Sequence, residues 1–378
     1  MEPVAAILRE MEGVVKNPAH AVRAFKQETG REVIGCLPIY VPEEIIYAGG
    51  MLPVGVWGGQ TNIVQSGTYL PSFACSIMRA IMEFAMRGIY NDLSAVVCPM
   101  HCDTLKCIGE NWKVAVPQVP CFCLVYPQNR KNPSGISYLI KEFEQLRKKL
   151  ESLSGRAITD EAINQAIVIY NEHRKTMREF TRVARDYPLT ITAQRRHMVI
   201  KSGFFMDKAK HTLLVKSLIS EFKALPPEKS NGIKVILTGI MAEPDGFLEL
   251  FNQYNLVVVG DDLAQESRQF RTDVPAGGAP LERLARRWAN ILGCSLAYDP
   301  QKQRSNMLID MVRDTGADAV IVTMMKFCEP EEFDYPILKK EFEKAGIPHL
   351  YMELEQQADS VEQLRTRIQG FAEMMTTR

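Results

Sequence analysis

SAVVCPMHCDTLKCIGENWK, residues 94–113, passes from an apolar run into an amphipathic one across a short loop. SAVVCP (94–99) has no polar alternation, the mark of a strand covered on both faces. DTLKCIGENWK (103–113) carries apolar side chains at helical spacing. Strand, loop and helix in that order make half of a βαβ unit, so this stretch argues for a parallel sheet.

Working outward, the same alternation continues on both sides. EVIGCLPIY (32–40), MLPVGVWGG (51–59) and VPCFCLVYP (119–127) read as further strands. PEEIIYAGG (42–50) reads as a short helix with Pro at its first turn and Gly past its end. SFACSIMRAIMEFAMRG (72–88) is a helix in which Phe73, Ile77, Ala80, Ile81, Phe84 and Ala85 recur on one face. A second alternating pattern starts later. KVILTGI (234–240), LVVVGDD (256–262), ADAVIVTMMKF (317–327) and HLYMEL (349–354) are strands, with helices predicted at 245–255, 280–292, 307–316, 334–346 and 360–376. Between the two patterns lie charged amphipathic runs at 138–155, 160–188 and 210–227, with almost no strand signal. The expected fold is α/β, with two parallel-sheet domains of Rossmann-like type joined by a helical middle segment. The expected boundaries are 1–135, 136–230 and 231–378.

The 378 residues carry 45 basic and 45 acidic side chains. That balance gives no reason to expect nucleic acid or an anionic membrane as partner. No apolar run reaches the ~18 residues of a membrane span. MEPVAAILREMEGVV (1–15) is a charged amphipathic helix rather than a signal peptide, so a cytoplasmic location is expected. Nine cysteines in such a chain are expected to be reduced thiols, and most of them packing.

In open parallel sheets, ligands bind beyond the carboxyl ends of the strands. Cys102 lies just past SAVVCP, and Cys328 just past ADAVIVTMMKF. Cys75 sits at the start of its helix, where backbone N–H groups favour thiolate. No C-x-x-C occurs in the chain, which counts against a local zinc site. Three separated thiols on element ends suit a soft metal group between domains, or simple packing at loop ends. Cys36, Cys98, Cys121 and Cys123 lie inside strand patterns and read as core. Cys107 falls on a helix and Cys294 in a loop. His101 is expected to meet solvent or bond to its loop. GDDLAQESRQFRTDVP (260–275) reads as a salt-bridged loop, and YPQNRK (126–131) as a polar strand end. No G-x-G-x-x-G follows a strand and no P-loop is present.

The stretches IGCLPIYVPEEIIYAGGMLPVGVWG, LPSFACSIM, CDTLK, PQNR, YNEHRKTMREF, DDLAQESRQFRTDVP, MMKFCEPEEFDYP and QGFAEMM carry a resemblance that spans nearly the whole chain. The chain resembles the 2-hydroxyacyl-CoA dehydratases, most of all their β subunits, in the superfamily that also holds benzoyl-CoA reductase subunits. The resemblance implies a 4Fe–4S cluster held by Cys75, Cys102 and Cys328, with a non-protein fourth ligand. It implies removal of water from an (R)-2-hydroxyacyl-CoA through a ketyl radical, in an oxygen-sensitive heterodimer with a homologous α subunit. An iron–sulfur ATPase activator would supply the electron, and acyl-CoA would bind mainly at the α subunit. A flavin (FMN) belongs to some complexes of the family, and no site for it is visible here. Asp103, Glu43 and Glu44 are candidates only for contacts behind the cysteines, and no catalytic residue is assigned. Two alternatives stand beside this reading: an acyl-CoA reductase subunit, and a zinc-binding or metal-free structural protein.

Overall fold

The computed structural model describes residues 2–357 and 361–377. Met1 and Ser360, which open two predicted helices, lie outside the described residues. Among the described residues, eight strands form two sheets. β1 (Val33–Cys36), β2 (Leu52–Gly55), β3 (Ala95–Pro99) and β4 (Cys121–Leu124) make the first, in the order β2-β1-β3-β4. β5 (Ile233–Gly239), β6 (Leu256–Leu263), β7 (Ala319–Met325) and β8 (His349–Leu354) make the second, in the order β6-β5-β7-β8. Every pairing is parallel. The fold is therefore α/β with two parallel-sheet units of matching strand order.

The inner strands are apolar because helices cover both of their faces. β3 and β7 are buried at every position. β4 is an edge strand, and three of its four residues are only half-buried. Cys121 and Cys123 are therefore not the core residues that their apolar neighbours suggested. Several predicted elements are shorter in fact. The helix at 72–88 begins at Ser76, which leaves Phe73 outside it and 68% exposed. β1 stops at Cys36, and the chain then turns through Tyr40, whose φ of 73° is in the left-handed region.

Among the described residues, the helices Pro18–Thr29 and Ala193–Ser202 were not foreseen, nor was the single turn Ser267–Phe270 inside the predicted loop. The helix Ala193–Ser202 hid its period because Arg196 and His197 share its buried face with Val199 and Ile200.

Packing cuts across the linear boundaries at three places. The N-terminal helix Glu2–Lys16 buries Val4, Leu8 and Met11 against Phe180, Leu218 and Phe222 of the middle helices, not against the first sheet. The helix Pro133–Ser154 instead sends Leu139, Phe143 and Leu146 into the first sheet's core. That core also takes Leu281, Leu284 and Trp288 from the later part of the chain. Arg130 fastens this join. Fully buried, it donates to the carbonyls of Trp288 (2.9 Å), Ala289 (2.6 Å) and Tyr298 (3.0 Å). The polar strand end YPQNRK thus serves as a clasp.

Candidate functional site

In each sheet the chain runs from the first strand to one neighbour and then crosses to the other side. The order reverses between β1 and β3, and again between β5 and β7. Crevices open at such points beyond the carboxyl ends of the strands. Here the two crevices share one cavity. Cys102 follows β3, Cys328 follows β7, and Cys75 comes from the segment after β2. All three line the cavity, with Ile39, Trp57, Met78, Leu105, Ile240 and Phe327 among its apolar walls. Apart from the thiols, its polar lining is Thr104 and Glu329.

Each of the three cysteines is also the N-cap of a helix: Cys75 of Ser76–Met86, Cys102 of Asp103–Ala115, Cys328 of Glu329–Lys344. Three helix N-termini thus point their free N–H groups and positive dipole ends at one place. Two opposed effects act on the thiols. Burial pushes Cys75 up to about 12, although backbone N–H groups of Met78 and Ile77 favour its thiolate. Burial raises Cys102 in the same way, against the N–H groups of Leu105 and Thr104. Cys328 is raised well above the usual thiol range, by burial and then by the neighbouring Cys75. The thiols sense one another because they share the cavity. Without a cation to pair with, they stay protonated at neutral pH.

Contacts between the two halves hold this geometry. Ser76 Oγ donates to Met325 Sδ at 2.9 Å and accepts the Gln356 N–H at 3.1 Å. Gln356 Nε2 donates to the Trp57 carbonyl at 3.0 Å. Behind Cys328 lies a buried ionic network. Asp262 accepts from Arg268, Arg271 and Arg304, and Glu331 accepts from Arg268 at 2.9 Å and faces Arg304 at 2.8 Å. Burial would raise both carboxyls, but the arginines outweigh it and hold them below their usual range. GDDLAQESRQF is thus a salt-bridged segment, though a buried one.

The remaining candidates fall elsewhere. Asp103 points to solvent and pairs with Lys106 at 3.0 Å, so it makes no contact behind the cysteines. Glu44 is buried against Arg174, and Glu43 lies 3.2 Å from Lys208, both in a separate polar pocket. Cys107 is exposed, so it is not among the thiols that serve only as packing. Cys36 and Cys98 are buried as expected, and Cys294 is buried beside Arg268 at 3.6 Å. His101 is buried rather than in solvent, and its Nε2 has no hydrogen-bond partner. It is enclosed by Tyr126 (4.2 Å), Trp288 (4.7 Å) and Tyr40 (5.9 Å), and burial pushes it down to about 3. Trp57, Phe327 and Glu331 were not singled out from sequence. Their only signal was nearness to the cysteines or to a strand end. Among the described residues no three His, Cys, Asp or Glu side chains are arranged to hold a single metal ion, and no helix is long and apolar enough to cross a membrane.

Comparison with known proteins covers the same span. Residues 38–375 match the family described as 2-hydroxyglutaryl-CoA dehydratase, D-component. The β subunit of lactoyl-CoA dehydratase from Anaerotignum propionicum is 48% identical, over 99% of this chain and 100% of its own. The β subunit of (R)-phenyllactyl-CoA dehydratase from Clostridium sporogenes is 43% identical, over 97% and 98%. The β subunit of (R)-2-hydroxyglutaryl-CoA dehydratase from Acidaminococcus fermentans is 35% identical, over 98% and 100%. With matches that run from end to end through both sheets and all three cysteine-bearing loops, this chain belongs to the 2-hydroxyglutaryl-CoA dehydratase D-component family.

Proposed function

We propose that this chain is the β-type subunit of an (R)-2-hydroxyacyl-CoA dehydratase, in which Cys75, Cys102 and Cys328 hold a 4Fe–4S cluster. The observation that carries the reading is the meeting of three N-capping thiols, from both halves of the chain, in one apolar cavity. Full-length identity of 35–48% to subunits of three such dehydratases supports the same enzyme class.

The donor set fits the group. Thiolates are soft ligands that suit iron–sulfur centres. Three thiols lining one cavity would supply the protein ligands of such a group. When bound, such a cluster supplies one-electron transfer at a potential set by burial and by hydrogen bonds to sulfur. The work of the chain's own residues is electrostatic and steric. The three helix N-termini offset part of the cost of burying negative sulfur. Trp57, Met78, Leu105 and Phe327 give the cavity apolar walls. The raised thiols must lose their protons as metal binds, so loading is favoured by rising pH.

In this reading the assembled enzyme removes water from an (R)-2-hydroxyacyl-CoA to give an (E)-2-enoyl-CoA by way of a ketyl radical on the substrate. A homologous α subunit takes most of the acyl-CoA contact, and an iron–sulfur ATPase activator supplies the electron. This chain stands between them as relay. FMN, where the complex contains it, is a second cofactor of the assembly.

Purification without oxygen tests the reading. The expected product is brown, bleaches in air and carries roughly four irons per chain. Replacing Cys75, Cys102 and Cys328 together by Ser should remove the iron and the colour. Full iron content in that variant would overturn the ligand assignment. A colourless, air-stable wild-type chain would overturn the cluster. With partner subunit and activator present, water loss from a 2-hydroxyacyl-CoA supports the dehydratase, and ring reduction of benzoyl-CoA refutes it.

A further inference from the structure

The chain reaches Cys328 through a turn with an unusual occupant. Beyond β7 the Cys328 N–H donates to the Met325 carbonyl at 2.9 Å, so Lys326 and Phe327 are the central residues of a tight turn. Phe327 has a φ of 63°, in the left-handed region. Glycine or asparagine takes such a turn position at little cost. A bulky side chain there is an outlier and is strained. The surrounding bonds hold it in place. The Phe327 N–H donates to Glu332 Oε1 at 3.1 Å, and the Lys326 N–H donates to the Leu354 carbonyl at 3.0 Å. Conformations of this kind gather at functional sites.

The surroundings of the ring point to its use. Phe327 lines the cysteine cavity, yet it is only half-buried. Lys326 Nζ lies over the ring, 5.3 Å from its centroid, on a half-exposed side chain. The ring thus stands between the surface and the cavity, next to Cys328. Cys102 is placed differently. It also lines a polar hollow of about 290 Å³, whose described lining includes exposed Phe333 and Tyr298 but neither Phe327 nor Cys328. The two thiols are therefore approached from different sides.

We propose that Phe327 is the cover of the cysteine cavity on its Cys328 side, held left-handed so that its ring separates the Cys328 sulfur from solvent. Glycine would make the same turn without strain and leave that side open. Where the cysteines hold a metal group, the ring limits access of water and dioxygen to the metal nearest Cys328, a consequence that rests on Cys328 being a cluster ligand.

Alkylation of the full metal-free chain tests the cover without any metal. Phe327→Gly and Phe327→Ala should each speed iodoacetamide labelling of Cys328 about tenfold or more, read by mass spectrometry, with Cys102 staying within about twofold of wild type. Phe327→Tyr, which keeps the ring, should label as wild type does. Phe327→Gly should unfold at a higher urea concentration than Phe327→Ala, because it relieves the turn. An unchanged Cys328 rate in both ringless variants would overturn the proposal. So would equal rises at Cys328, Cys102 and buried Cys98, which mark a loosened fold rather than a lost cover. After purification without oxygen, both ringless variants should bleach in air faster than wild type and Phe327→Tyr. Unchanged bleaching beside faster labelling would overturn the protection of the metal. A colourless wild type would overturn the cluster alone, since the labelling rates decide the role of Phe327 by themselves.

Discussion

Glu331→Gln should destabilise the second α/β unit by about 3–5 kcal/mol at pH 7, the cost of removing one partner from a buried ionic network. Glu331 Oε1 accepts from Arg268 Nη1 at 2.9 Å and from Ser295 Oγ at 2.8 Å, and Oε2 faces Arg304 Nη2 at 2.8 Å. The side chains of Glu331, Arg268 and Arg304 are 1%, 0% and 5% exposed, so water screens little of the loss. Glutamine keeps the shape and can still accept on one side. Its amide would then set N–H against the Arg304 guanidinium, donor against donor, and leave two arginines short of one negative charge. The pH dependence has a definite sign. Arg304 and Arg268 outweigh the effect of burial and hold the Glu331 carboxyl below 4.5 in the folded chain. Its contribution is therefore complete above 4.5 and fades as pH falls toward the lowered folded-state value. Urea unfolding of wild type and Glu331→Gln, compared at pH 7 and at successively lower pH, measures this. Glu341→Gln, which breaks an exposed pair with Lys344, is the control and should cost under about 1 kcal/mol. A Glu331→Gln cost of about 1 kcal/mol or less at pH 7, or one that grows on acidification, would show that the network does not hold the unit together in this way.

His197 tests the opposite sign. Burial alone would lower it, but Glu243 and Glu266 raise it to about 9. The stability lost in His197→Gln should be largest below pH 6.5 and shrink as pH rises through about 9, as read by unfolding midpoints. Gly239→Ala should unfold the second unit or cost more than about 2 kcal/mol in the same assay. Its φ is 148°, and a Cβ there would stand 2.1 Å from the Thr323 carbonyl oxygen. Alkylation of the metal-free chain at pH 8, followed by mass spectrometry, should mark exposed Cys107 first. Cys75, pushed up to about 12, and Cys328, raised by burial, should react far more slowly. Cys107→Ser should keep the full iron content of the anaerobically purified chain, and iron loss in that variant would count against the three-cysteine assignment.

The fold class was legible in the residue pattern alone. All eight strands were legible, the inner ones because buried parallel strands are largely apolar on both faces, as Val320, Ile321 and Val322 are in β7. The same pattern singled out Cys75, Cys102 and Cys328, because strand ends and helix starts are local features. The misreadings have local causes too. Edge position exposed Cys121 and Cys123, and charged residues on a buried face hid the helix at Ala193–Ser202. Three-dimensional packing was needed to show that β1–β3 and β5–β7 open toward each other and bring three helix N-termini to one cavity. Neither spacing nor periodicity carries that information, since Cys102 and Cys328 are joined through the packing of two cores. The same holds for Trp57, which lines both the cysteine cavity and a second, apolar groove. A side chain's neighbours along the chain set its helix or strand, while its neighbours in space set what it can bind.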